Sequence, residues 1–185
     1  PPPPPRQHSF PNDALPIWFF YHPGIDPAAI FRAIRLNGKA GRVVSGGSTL
    51  TMQLARIARG NQDRTFYEKT IEMCWALFLE TTYSKQEILN LYASHAPFGG
   101  NVIGLETAAW RYFGRSASEL SWAESATLAV LPNSPALIHP GRNRKQLKEK
   151  RDRLLASLQK KGVLEETEYE LACIDRKSTR LNSSH

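Results

Sequence analysis

The sequence predicts an all-α domain, and three observations favour that fold class. Apolar residues recur at helical spacing along most of the chain, no segment shows the alternation of a strand, and no internal repeat is present. With 185 residues, 41% of them apolar and 22% charged, the chain is long enough to bury the core of one domain. This composition excludes a disordered chain and a small disulfide-stabilised protein.

The first two helices are indicated by local start and stop signals. Asp26 can cap free backbone amides, the proline after it fits the first helical position, and Gly38 stands where the helix should stop. We therefore expect a helix over 27–37. Residues 48–59 alternate small polar and apolar side chains and precede the turn-rich segment 60–63, which predicts a second helix followed by a mobile loop.

A third helix is expected over 65–80, and its composition predicts a place at the centre of the core because it is mostly apolar. Its apolar side chains are Phe66, Ile71, Met73, Trp75, Leu77, Phe78 and Leu79. Trp110 and Trp122 stand in similar apolar helical surroundings. We expect these two tryptophans and Trp75 to be core residues.

The later helices carry clearer boundary signals. Ser84 with Glu87 and Ser121 with Glu124 each place a serine three residues before a glutamate, the pattern of a capping box, and the second helix should end before Pro132. Residues 143–161 form a long amphipathic pattern, basic over much of its surface, with Gly162 as its C-terminal stop. Its apolar side carries Leu147, Leu154, Leu155 and Leu158.

The net charge favours an anionic partner. The chain carries 24 Lys and Arg against 17 Asp and Glu, a formal net charge of +7. A nucleic-acid binder is considered only because of this charge and the basic helix at 145–161, but no helix-turn-helix, zinc or RNA-binding pattern supports it, so we expect no nucleic-acid partner. Cys74 and Cys173 lack the spacing of a zinc site and form no disulfide framework.

Both ends of the chain differ from the middle. Residues 1–5 are a proline run, and 175–185 are polar without an apolar stripe. The latter segment matches codon by codon the translation of a short-read sequencing adapter, and 13–17 resemble the end of the opposite adapter. We hypothesise that 1–17 and 175–185 are disordered or artefactual and that the domain lies within 18–174. Finding the same flanks in the genomic DNA would refute this.

The middle of the chain resembles glycosyltransferase family 51, the peptidoglycan polymerases, through five motifs. Residues 46–56, GGSTLTMQLAR, resemble the second signature of that family. Lys69 and Glu72 match the third, 85–89 with Tyr92 and 98–100 match the fourth, Lys150–Arg151 with Leu154–Leu155 match the fifth, and Phe19, His22 and Gly24 match the end of the first. The order and spacing of these motifs indicate a partial transglycosylase domain at 18–174.

This resemblance implies a lysozyme-like helical fold with a smaller, mobile jaw. It also implies a membrane anchor before the domain, a transpeptidase domain that often follows it, and a location on the bacterial inner membrane facing the periplasm. The family reaction joins lipid II to a growing glycan chain with inversion and expels a lipid pyrophosphate. Such a reaction needs a base for the attacking hydroxyl and cations for the leaving group.

The resemblance assigns roles to eight residues. Lys69 is expected to bind pyrophosphate oxygens, and Glu72 to act as a catalytic residue that positions the donor or holds a divalent cation, Mg²⁺ or Mn²⁺. Without the other motifs this pair would be read as a surface ion pair. The remaining candidates for substrate binding are Ser48, Thr49, Gln53, Arg56, His22 and Phe19.

These candidates also have simpler interpretations. Thr49, Gln53 and Arg56 share one helical face, which would otherwise be a solvated face. Ser48 is better explained by helix capping than as a nucleophile. His22 is expected to be a hydrogen-bonded residue near the cleft rather than a metal ligand, and Phe19 could pack on the jaw or contact the lipid.

Three departures from the family pattern put activity in doubt. The catalytic glutamate of the family falls at Leu15 and the aspartate after it at Pro16, so the general base is absent as written. Glu68 replaces an arginine before the third-motif lysine, and Ser94 replaces an asparagine of the fourth motif. The alternative is a catalytically dead relative that binds lipid II or a cell-wall partner. Lys150 and Arg151 could form a solvated stripe or steady the cleft.

Overall fold

A computed structural model describes residues 19–41, 46–60, 65–132 and 144–174. These residues form helices at Pro27–Ala40 (α1), Leu50–Ala58 (α2), Phe66–Thr82 (α3), Lys85–His95 (α4), Leu105–Phe113 (α5), Trp122–Val130 (α6), Arg144–Lys160 (α7) and Glu166–Ile174 (α8). Short 3₁₀ turns lie at Phe19–Tyr21 and Ala117–Glu119, and a single antiparallel bridge joins Pro97 to Ile103. No strand occurs in these ranges, and the all-α prediction is confirmed.

Helix α1 begins as predicted but ends later. The Asp26 carboxylate accepts a hydrogen bond from the Ala29 amide, and a proline occupies the first turn. The predicted stop at Gly38 is wrong, because the helix continues through Ala40 and ends at Gly41 with φ +60°. A glycine inside a helix costs only about 1 kcal/mol, so it does not end one by itself. Gly41 ends the helix by adopting the left-handed conformation.

The other helix starts follow local caps. Helix α2 is capped by Thr49, whose hydroxyl accepts from the Met52 amide, so the predicted cap at Ser48 is wrong by one residue. The capping boxes of Ser84 with Glu87 and of Ser121 with Glu124 are both confirmed, with each reciprocal hydrogen bond present. Side-chain acceptors satisfy amide groups that the first helical turn leaves free, which explains why these starts are visible in the sequence.

Two apolar clusters join most of the described helices. The larger joins α5, α6, α7 and α8, and its fully buried leucines are Leu128, Leu131, Leu147 and Leu155. The smaller joins the turn at Phe19 to α2 and α4 through Leu50, Leu54 and Ile88. The second cluster fixes the start of the described chain against the helices that carry the second and fourth motifs.

Helix α3 is not the centre of the core, contrary to the prediction. Only Glu72 and Ala76 are buried along it, whereas Trp75 and Phe78 are exposed and pack edge to face with ring centroids 5.9 Å apart. Trp110 and Trp122 are also exposed, so the prediction of three core tryptophans is wrong. The indole N–H groups explain the last two positions: they donate to Glu106 and Glu168, respectively, at the surface.

Arg151 of helix α7 does not belong to a solvated stripe. Its side chain is fully buried, and its guanidinium donates to Asp152 and to the carbonyl oxygen of Cys173. Because Cys173 lies in α8, this arginine connects the last two helices. On the leucine side of α7, Leu147, Leu154 and Leu155 are buried and Leu158 is partly buried.

Several sequence predictions fall outside the described residues. These are the leader, Leu15 and Pro16, most of the predicted loop at 60–63, and the tail. Within the ranges that the structure covers, no helix combines the length and the hydrophobicity needed to cross a membrane. Both cysteines are free.

Candidate active site

Lys69 and Glu72 lie on one face of helix α3, as their spacing predicts. The Lys69 ammonium lies 3.0 Å from Glu72 Oε2 and donates to Ser48 Oγ at 2.5 Å. Ser48 precedes α2, so the lysine bridges two elements of the fold. Glu72 is only 7% exposed. The structure therefore brings three predicted site residues into direct contact.

Arg56 approaches the same carboxylate from helix α2. Its Nε lies 3.8 Å from Glu72 Oε1, and about a quarter of its side chain is exposed. Among the described residues, two cations thus flank one carboxylate at the α2–α3 junction. A partly desolvated site of this kind favours an anion with several acceptor oxygens, such as a phosphate.

The departure at Glu68 is compensated locally. Its carboxylate forms an ion pair with the Arg59 guanidinium, which lies at the end of α2. The pair is neutral overall, so Glu68 leaves unchanged the positive charge supplied by Lys69 and Arg56.

Thr49 and Gln53 do not form one open face with Arg56. Thr49 is 2% exposed, and its hydroxyl donates to the Gly24 carbonyl while it caps α2. Gln53 Oε1 accepts a hydrogen bond from the Tyr92 hydroxyl at 3.0 Å. Burial raises the pKa of Tyr92 to about 12, so this phenol stays protonated and remains a donor. Both side chains are engaged with other parts of the protein.

His22 and Phe19 are also held by protein contacts. His22 Nδ1 accepts the Gly24 amide hydrogen bond at 3.1 Å, as expected for a hydrogen-bonded residue. Burial, and secondly the Lys85 charge, lower the pKa of His22 and favour its neutral form. Phe19 is fully buried, with the Lys85 ammonium 4.5 Å from its ring centroid. This ring packs inside the protein and is not open to a lipid.

Three residues that the sequence analysis did not assign complete the surroundings of the first motif. Lys85 donates to the His22 carbonyl and to Glu80, and Glu80 also accepts from Thr51. Lys85 is the first residue of the fourth motif, which is the signal that could have identified it. Thr51 lies within the second motif at 46–56 and carries the same kind of signal, whereas Glu80 lies outside the motifs.

The donor set at Glu72 fits a divalent cation poorly. Within the described ranges no group of three histidine, cysteine or acidic side chains could hold a metal. Of the residues that the structure describes, Glu72 is the one carboxylate in contact with Lys69 and Arg56, and its two oxygens face these cations. Mg²⁺ prefers an oxygen-rich octahedral set, and two adjacent cations oppose it. The Mg²⁺ or Mn²⁺ site stays a prediction that these contacts do not support.

Comparison with known proteins identifies the family. Residues 17–159 match the Transglycosylase family. The chain is 43% identical over 146 residues to penicillin-binding protein 1C of Escherichia coli. The matched segment covers 79% of this chain and 19% of that protein. It is 39% identical over 154 residues to penicillin-binding protein 1A of Aquifex aeolicus, covering 83% of this chain and 21% of that protein.

A solved structure shows a weaker similarity. The crystal structure of penicillin-binding protein 1A from Haemophilus influenzae has a TM-score of 0.46 and 24% identity, covering 68% of this chain and 16% of that one. The chain spans about one fifth of the length of the curated relatives it matches.

The subgroup indicated by sequence agrees with these identities. Segments 42–45 and 96–100 look most like penicillin-binding protein 1C, and the identity to that protein exceeds the identity to the Aquifex aeolicus 1A protein. The family match spans the described site from Phe19 through α2 and α3. The chain therefore belongs to the transglycosylase family, the glycosyltransferase family 51 that its five motifs predicted.

Proposed function

We propose that this chain is part of the glycosyltransferase domain of a bacterial cell-wall synthase that polymerises lipid II into glycan strands. The reaction joins the 4-hydroxyl of one lipid-linked disaccharide to the anomeric carbon of the growing glycan, with inversion and release of lipid pyrophosphate. The observation that carries the proposal is the contact cluster of Ser48, Lys69, Glu72 and Arg56 inside a transglycosylase domain.

The cluster suits the leaving group of this reaction. Lys69 would donate charge-assisted hydrogen bonds to a pyrophosphate oxygen, and Arg56 would supply a second cation beside it. Glu72 holds both cations in place through its buried carboxylate. Ser48 orients the Lys69 ammonium from the other side. Because these groups are positioned before substrate arrives, they would stabilise developing charge without a large rearrangement.

The general base is the part that this chain lacks. In the family a glutamate stands at the position of Leu15, and leucine cannot accept the proton of the attacking hydroxyl. We infer that the chain as written is an inactive fragment and that the native gene encodes Glu and Asp at positions 15 and 16. Sequencing the source gene across codons 10–18 would test that inference directly.

The whole protein would act at the membrane. We propose that the native product is anchored in the bacterial inner membrane with this domain facing the periplasm, and that a transpeptidase domain follows it. The support is that the relatives are bacterial penicillin-binding proteins roughly five times as long as the matched segment.

Restoring the base tests the function. The full chain and its Leu15→Glu, Pro16→Asp double variant would be incubated with lipid II in detergent micelles, and the glycan product separated on a gel. We expect no product from the first and glycan strands from the second. Adding Glu72→Gln to the double variant should lower turnover by at least about 10²-fold, within the range by which single positioned groups contribute.

The competing proposal is a catalytically dead relative that binds lipid II without polymerising it. It is favoured by one observation, the leucine at the position of the base. A folded double variant that binds lipid II in micelles but forms no glycan would support this alternative. If the double variant neither binds nor polymerises lipid II, both proposals fail.

A further inference from the structure

We propose that Lys85 and Glu80 are positioning residues that hold the segment at 19–24 against α2, α3 and α4, and so fix the helix that carries Arg56 relative to the helix that carries Lys69. The proposal rests on the proposed function, because the relative position of these two cations matters for catalysis only if they bind the leaving pyrophosphate. Neither residue contacts the Ser48, Lys69 and Glu72 cluster in the described structure.

Lys85 makes three contacts at the joint between α4 and the first motif. Its ammonium donates to the His22 carbonyl at 2.5 Å and to Glu80 Oε1 at 2.8 Å, and it lies 4.5 Å from the centroid of the Phe19 ring. Less than a quarter of the side chain is exposed. Two of the three contacts therefore fall on the segment at 19–22, which is the described end of the first motif.

Glu80 connects this lysine to two further elements. Its side chain is 11% exposed, and it accepts a hydrogen bond from Thr51 Oγ1 of α2 at 2.6 Å. Gly24 packs so closely on it that a Cβ at this glycine would lie 2.7 Å from Glu80 Cγ. The carboxylate is thus the point where α2, α3, α4 and the first-motif segment meet.

The contacts of Lys85 and Glu80 are separate from the cluster around Glu72 but are linked to it. Glu80 follows Glu72 by two helical turns, about 12 Å along the axis of α3. The connection runs through Thr49, which donates to the Gly24 carbonyl and caps the helix carrying Arg56. A displacement of the first-motif segment would therefore move α2, and with it Arg56, relative to Lys69 on α3. Misplacement by about 1 Å can lower an enzymatic rate by about 10²-fold.

The first test needs no turnover. In the full chain as written, the His22 titration and the exchange rate of the Gly24 amide proton would be followed by NMR. The charged groups facing His22 are Lys85, Glu80 and Asp26. Lys85→Met should raise the pKa of His22 and accelerate Gly24 exchange at least about 10-fold, whereas Glu80→Gln should lower that pKa, since this carboxylate raises it. A general loosening of the fold would instead shift the pKa of His22 in the same direction in both variants.

The second test separates positioning from substrate binding. In the Leu15→Glu, Pro16→Asp background, Lys85→Met should lower kcat by about 10- to 100-fold and leave KM for lipid II within about threefold, the pattern of misplaced reacting groups. Lys85→Arg should recover most of the activity because it keeps the charge. Lys148→Met is the matched control, since Lys148 forms only an exposed pair with Asp152 on α7.

The outcomes separate this inference from the proposed function. If the restored chain has no turnover, the proposed function is wrong and the NMR experiment alone decides whether Lys85 and Glu80 hold the segment. If Lys85→Met raises KM without lowering kcat, Lys85 binds substrate and the positioning role is overturned. Unchanged His22 and Gly24 signals in the folded Lys85→Met variant would overturn it as well.

Discussion

Lys69 and Glu72 lie one turn apart on helix α3, with the Lys69 ammonium 3.0 Å from the Glu72 carboxylate and in contact with Ser48 Oγ. This relationship places a partly buried cation where two helices meet. It also predicts which single change should harm the reaction most while leaving the fold intact.

Lys69→Met should lower kcat of the base-restored chain by about 10²- to 10³-fold, the loss seen when one preorganised donor to a developing anion is removed. The rate of lipid II consumption in micelles measures it. Lys148→Met, which removes a lysine from an exposed i,i+4 pair, should leave the rate unchanged. Full activity in a folded Lys69→Met variant would remove this lysine from the pyrophosphate site.

Thr49→Ala should destabilise the protein without a specific loss of substrate affinity. The substitution removes the α2 cap, which contributes about 1 kcal/mol. It also removes the hydrogen bond to Gly24, which contributes about 1 kcal/mol more. Urea unfolding should show a loss of about 2 kcal/mol in the free energy of unfolding, with Thr49→Ser losing much less. A stable Thr49→Ala variant that no longer binds lipid II would instead make Thr49 a direct ligand.

Gly24→Ala should destabilise the protein more than Gly41→Ala. Both glycines have positive φ, +82° and +60°, so both substitutions carry a backbone cost of about 1 kcal/mol. At Gly24 the new Cβ would also lie 2.7 Å from Glu80 Cγ and 3.0 Å from the Ala76 carbonyl oxygen, whereas at Gly41 no atom of the described residues lies within 4 Å. Equal losses on thermal unfolding would mean that the Gly24 contact relaxes freely.

Tyr92 should ionise at about pH 12, because burial disfavours its phenolate. Its pKa in the folded protein exceeds the unfolded value of about 10, so the stability that it contributes is present below pH 10 and lost as pH rises towards 12. Ultraviolet titration should show a tyrosine transition near pH 12 that Tyr92→Phe removes. A transition near pH 12 that persists in Tyr92→Phe would belong to another tyrosine.

Several helix ends could be predicted from the sequence because they depend on contacts within four residues. Asp26, the Ser84 and Ser121 capping boxes and the glycine after α7 act through such local bonds. The error at Gly38 has the same origin: the residue permits a helix end, but the backbone turned only at Gly41.

The site was predictable in part, through the motifs rather than through the physics of single residues. Residues three apart lie on the same face of any α-helix, so the contact between Lys69 and Glu72 follows from the sequence. That Arg56 reaches the same carboxylate, while Gln53 turns to Tyr92, depends on how α2 packs against α3 and α4. No local pattern carries that information.

By itself the sequence determined the helical class and the family, since these follow from periodicity, caps and motif order. The tertiary structure alone decided burial: Trp75 and Phe78 are exposed on α3, whereas Arg151 is fully buried beside α8. Burial depends on segments far apart in the chain that pack together, and hydrophobicity along one helix does not say which of its faces another helix will cover.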